Sequence, residues 1–186
     1  MNKPLIPHAD FTETTITSKP VYDGALLKVR EDSVRLPDGK TAQREYVEHP
    51  GAVIIIAQVD NGQVLLERQF RYPLRRHMIE LPAGKIESDE DPLLTAQREL
   101  LEETGFVAAT WQHLFTAHPC IGYSDERMVF YRAAGLTLQN RQLDEGEFLE
   151  VFTLPLAHAL VMIESGAITD IKTITGLFWL ARQARA

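Results

Sequence analysis

Between Gly24 and Gly62 short apolar runs are cut by turn residues, a pattern that predicts strands rather than helices. Pro37-Asp38-Gly39 divides one pair of runs. Asn61-Gly62 stands between AVIIIAQV and QVLLERQF, and Asn-Gly accepts the positive φ angles of a type I′ turn, so these two runs are expected to form a hairpin. Ala52 to Val59 shows no alternation, which fits a central strand buried on both faces. Further strands are expected at Trp111 to Ala117, Met128 to Ala133 and Glu150 to Leu154.

Helical punctuation first appears at Pro92 to Thr104. Asp91 stands at the N-cap position, Pro92 in the first turn and Gly105 just past the end. Two helices are expected to close the chain: one after Pro155 with Leu156, Leu160 and Ile163 on its apolar face, and one with Ile171, Ile174, Phe178 and Ala181. Strands with segregated helices indicate an α+β layered fold.

Size and composition then narrow the function. The 186 residues suit one domain with an accessory segment, and no repeat or low-complexity tract divides them. A net charge of −7 argues against a broad nucleic-acid-binding surface. It leaves room for phosphorylated ligands held through a divalent cation. No apolar run approaches the roughly 20 residues of a membrane-spanning helix, and the first residues do not resemble a signal peptide. No membrane association and a cytoplasmic location are expected. Cys120 is the single cysteine, which rules out a disulfide within the chain.

The chemistry is concentrated in residues 84–106, GKIESDEDPLLTAQRELLEETGF. On a helix, Glu99, Glu102 and Glu103 lie three and four positions apart and share a face. Like charges so spaced weaken an isolated helix by about 0.2–0.5 kcal/mol per pair. A hard cation that prefers oxygen ligands, such as magnesium, would offset that repulsion. Leu93, Ala96 and Leu100 form a separate stripe able to pack on a sheet. A plain solvated acidic helix would explain an isolated ELLEE string but not the flanking glycines.

The segment resembles the Nudix box, G-x(5)-E-x(7)-R-E-U-x-E-E-x-G-U with U apolar, at every specified position, from Gly84 through Glu90, Arg98, Glu99, Glu102 and Glu103 to Gly105 and Phe106. The resemblance implies an α/β/α sandwich with a mixed sheet, preceded by an N-terminal strand segment. It implies divalent-metal binding by Glu99, Glu102 and Glu103, with magnesium the expected ion and manganese an alternative. It also implies a supporting pair between Glu90 and Arg98.

Outside the box, LPAG at 81–84 and HPCIGYSDE at 118–126 are similar to the ADP-ribose pyrophosphatase subgroup, although Ile121 replaces the proline often found there. That likeness implies a metal-binding carbonyl at Ala83, substrate contacts from Arg71, Glu126 and His49, and a catalytic loop in DEGEFLEVF at 144–152. In that loop Glu145 is the candidate base and Glu147 the further metal ligand, with the reverse assignment open. Glu102 is also carried as a catalytic residue. Residues 1–45 are expected to exchange strands in a homodimer, and residues 46–186 to form the hydrolase domain. The implied reaction is hydrolysis of ADP-ribose to AMP and ribose 5-phosphate. The rivals are another nucleoside diphosphate sugar hydrolase, such as one for GDP-mannose, and a non-catalytic nucleotide-sensing regulator, though regulators of that kind usually lack the box glutamates kept here.

Overall fold

The computed structural model describes residues 9–59, 61–141, 143, 146 and 148–183. They divide into two compact units, one formed by the described residues up to 49 with 120–125 and one by those of 50–119 and from 126 onward.

The first unit is built on an antiparallel meander of β1 (Thr14–Asp23), β2 (Lys28–Arg35) and β3 (Thr41–Glu48). Pro37-Asp38-Gly39 does form the β2–β3 turn: Leu36 N–H donates to Lys40 O and Gly39 N–H to Leu36 O, with Gly39 at φ +85°. Every residue of β1 is exposed. Residues 120–125 attach to the end of β3, where Val47 N–H donates to Tyr123 O and Asp125 N–H to Val47 O.

In the second unit, the four-stranded sheet runs β7 (Ala83–Lys85), β4 (Ala52–Ala57), β9 (Met128–Leu138), β8 (Phe106–Ala117). The β4–β9 pair is parallel and the others antiparallel, so the sheet is mixed. A three-stranded antiparallel sheet runs β10 (Leu149–Leu154), β5 (Val64–Arg71), β6 (Arg76–Glu80).

β4 is the central strand that its unbroken apolar run predicts. Val53, Ile55 and Ala57 point into one core with Ala96 and Leu100 of α1 (Pro92–Thr104). Ile54 and Ile56 point into a second core with Ala159 of α2 (Leu156–Glu164) and Leu177 and Leu180 of α3 (Ile171–Gln183). One strand thus supplies both faces of an α/β/α sandwich.

The expected β4–β5 hairpin does not form. A tight turn is present, closed by Gly62 N–H to Val59 O and Val59 N–H to Gln63 O, but only a Gln58–Val64 bridge links the flanking runs. Among the described residues the non-glycine positive φ angles are at Arg75 and Asp89, so Asn61 does not adopt the type I′ conformation. Both edges of β4 are taken by β7 and β9, which leaves β5 to pair with β6 and β10.

The apolar face of α3 also differs from expectation. Its buried residues are Thr173, Gly176, Leu177 and Leu180, whereas Ile171 and Phe178 are more than half exposed. A Cβ on Gly176 would stand 2.4 Å from Leu81 Cδ1, so the absent side chain lets the helix approach this closely. Of the expected stripe Ile174 does pack against the core, while close approach at Gly176 turns Ile171 and Phe178 outward.

Candidate active site

α1 has the bounds its sequence punctuation predicts. The Asp91 carboxylate accepts from Leu93 N–H at 2.8 Å, and Gly105, at φ +75°, donates its N–H to Leu101 O. Ala96 and Leu100 are fully buried and Leu93 packs beside them. Burial of a leucine side chain is worth about 1.5–3 kcal/mol, which anchors this stripe and fixes the direction of the others.

The three box glutamates divide between two partners. Arg98 Nη1 lies 2.9 Å from Glu99 and 2.8 Å from Glu102, and the same guanidinium holds Glu90 through Nε and Nη2, each at 3.1 Å. Glu103 is turned inward, 6% exposed, and accepts the Ala83 N–H at 3.1 Å. The Arg98 hydrogen bonds pull the Glu90 carboxyl down from the ordinary 4.5 to about 2.

Gly84 has a specific steric reason. A Cβ there would fall 1.9 Å from Glu99 Cδ and 2.0 Å from its Oε1, so any other residue would expel that carboxylate. Glu99 therefore lies directly against the backbone at Gly84, while Glu103 binds the N–H next door. Carboxylate oxygens from two positions of one helix are thus brought to the Ala83–Gly84 segment.

Arg71, at the end of β5, makes a bidentate pair with Glu80 of β6 through Nε at 2.7 Å and Nη2 at 2.8 Å. Its side chain is 42% exposed, whereas that of Glu80 is 3% exposed. Lys172 of α3 also binds Glu80. Burial alone would raise the Glu80 carboxyl, but the Arg71 hydrogen bonds and the Lys172 charge outweigh it and hold the group below its ordinary value. The hydrogen bond to Glu80 likewise raises Arg71.

Sequence reasoning missed Glu80, Lys172 and the fully buried Glu67 of β5. A carboxylate inside the apolar run VLLERQF was a usable signal for Glu67, because acids are seldom fully buried without a reason. Glu126 lies in the second unit, half-buried just before β9. His49 belongs to the first unit, where its backbone N–H donates to Asp125 at 2.7 Å. Glu145 and Glu147 lie outside the described residues.

Because Glu90 is depressed, its stabilising effect is present above the unfolded pKa near 4.5 and is lost as pH falls towards about 2. Glu90→Gln should therefore reduce stability at pH 7 and flatten the wild-type loss across that acidic window, as read from urea unfolding at a series of pH values. An unchanged pH slope would show that the pair does not couple to folding.

The fold and site can be set beside known proteins. The family model for the NUDIX domain matches residues 48–175, and that for the Nucleoside diphosphate sugar hydrolase N-terminal domain matches residues 13–47. The chain is 39% identical over 170 residues to an ADP-ribose pyrophosphatase of Bacillus subtilis (strain 168), covering 90% of this chain and 92% of that protein. It is also 39% identical over 175 residues to the methanol dehydrogenase activator of Bacillus methanolicus, covering 93% and 95%. A crystal structure of an ADP compounds hydrolase superposes with a TM-score of 0.82 at 24% identity, covering 96% of this chain and all of that one, a likeness of fold. With a NUDIX match over most of its length and an acidic helix seated on Ala83–Gly84, the chain belongs to the Nudix family.

Proposed function

We propose that this Nudix protein hydrolyses the pyrophosphate bond of ADP-ribose to AMP and ribose 5-phosphate, using magnesium. The observation that carries the reading is the meeting of Glu99 and Glu103 at the Ala83–Gly84 backbone. The substrate class draws support from the N-terminal match to nucleoside diphosphate sugar hydrolases, and ADP-ribose from the activity of the Bacillus subtilis relative.

The donor set fits a hard divalent ion, since Glu99, Glu102, Glu103 and the Ala83 carbonyl offer oxygen alone. Among the described residues no group of three or more acidic, histidine or cysteine side chains is already arranged as a cage. Arg98 instead serves as the cation between Glu99 and Glu102. When bound, a divalent ion supplies charge to offset that of the pyrophosphate and lowers the pKa of a coordinated water. Arg71 contributes a planar guanidinium, two of whose five donors are engaged by Glu80, for gripping a phosphate. Glu126 is the proposed acidic substrate contact. Glu145 takes the proton of the attacking water and Glu147 completes the metal set.

The N-terminal strands serve a homodimer in this reading. β1 carries exposed Ile16, Val21 and Tyr22, and Phe11, Leu26 and Leu27 are exposed nearby in sequence. Such apolar side chains on a fully exposed strand favour cover by a second copy with exchanged strands.

Incubation with magnesium and a panel of ADP-ribose, GDP-mannose, ADP-glucose, NADH and diadenosine polyphosphates should release AMP fastest from ADP-ribose. Glu103→Gln should lower that turnover by at least about 100-fold with an unaltered circular dichroism spectrum. Preference for GDP-mannose would move the substrate assignment, and nucleotide binding without cleavage would favour a sensor. Glu145→Gln should slow hydrolysis more than it weakens metal binding by calorimetry, and Glu147→Gln should do the reverse; the opposite pattern exchanges their roles. Light scattering should give twice the chain mass, falling to one chain mass in Val21→Asp/Tyr22→Asp, and a wild-type monomer would refute the dimer.

A further inference from the structure

Glu80 is met by a second cation beyond its bidentate pairing with Arg71. It lies directly opposite Glu67 across the β5–β6 pair, and both side chains are buried. Facing carboxylates disfavour a sheet, and burial strengthens their repulsion. Arg71 feels Glu67 and Glu103 as well as Glu80. A guanidinium among three acids, left alone with them, would be drawn inward with its charge spent on the protein.

Lys172 changes that balance. Its ammonium binds Glu80 and lies 3.0 Å from Asp170, with a side chain only 14% exposed. Its support is rigid. Asp170 accepts from Thr173 N–H at 3.0 Å and Thr173 Oγ1–H at 2.6 Å, while Thr173 Oγ1 accepts the buried Leu81 N–H at 2.8 Å. The first turn of α3 is thereby fastened to the strand end leading into Ala83–Gly84. Of the groups around Glu80, Arg71 and Lys172 offset two of the three acids Glu67, Glu80 and Asp170, and without Lys172 Arg71 alone would face all three beside a site for an anion.

We propose that Lys172 is a positioning residue: by sharing Glu80 with Arg71, it holds the guanidinium in one orientation and leaves its charge available to a substrate phosphate. This rests on the reading of Arg71 as a phosphate-gripping residue. Lys172 itself touches no substrate, so its effect passes through Arg71. The expected signature is a change in KM with little change in kcat, because the interaction serves the bound substrate as much as the reacting one.

The test is a double-mutant cycle on pyrophosphate hydrolysis of ADP-ribose, with thermal melting of each variant. Arg71→Ala should raise KM at least about tenfold, and Lys172→Met about tenfold with kcat within about threefold of wild type. Lys172→Arg should bring KM back to within about threefold of wild type, since it restores the charge. In the Arg71→Ala background, Lys172→Met should change KM by less than about twofold, the non-additivity expected of residues acting through one contact. Should Lys172→Met fail to fold, Lys172→Gln keeps a donor to Glu80 without the charge and takes its place in the cycle. An Arg71→Ala enzyme with normal KM would remove the phosphate reading and this inference with it. Normal Arg71 dependence combined with additive effects, or with a Lys172 variant that only lowers the melting temperature, would overturn the inference alone.

Discussion

Negative charge at close quarters is the constraint to which the second unit is built. Glu90, Glu99 and Glu102 are collected by the single guanidinium of Arg98, and Glu103 is diverted to a backbone N–H. Without those partners the carboxylates would repel one another and loosen the helix that bears them. The apolar stripe of Ala96 and Leu100 supplies the opposing hold, so that α1 is fixed by packing on one side and charge pairing on the other.

The same solution recurs at the neighbouring strands, where Arg71 and Lys172 flank buried Glu80. In both places an acid is held by more than one donor, and the geometry of each cation follows from the carboxylates around it. The difference is exposure: Arg71 reaches solvent more than Arg98 does. A guanidinium fixed at its root and open at its rim suits recognition, whereas one enclosed by three carboxylates suits support.

Local signals were legible in the sequence and distant ones were not. The limits of α1 could be read because Asp91, Pro92 and Gly105 act within a turn of their own positions. The α+β class and the central place of β4 could be read from periodicity. The β4–β5 pairing was misjudged because turn chemistry specifies a bend but not which strand claims the edge beyond it. The face of α3 was misjudged because hydrophobicity counts favour Ile171 and Phe178, while a close approach at Gly176 decides the packing. The carboxylate spacing of Glu99, Glu102 and Glu103 was plain in the sequence, but the role of Gly84 as the floor beneath Glu99 needed coordinates. The Glu80–Lys172 pair spans 92 residues and leaves no local trace, although Asp170-x-x-Thr173 before an apolar run was a capping signal that pointed to the anchored turn.

Gly84 limits how such a protein can diversify. With no space for even a methyl group between the backbone and Glu99 as it lies, a side chain at position 84 could be gained only by moving that carboxylate off the segment. Changes of preference among ligands must arise elsewhere, at positions where an altered side chain does not displace Glu99. The scaffold is therefore frozen at its centre and inventive at its margins.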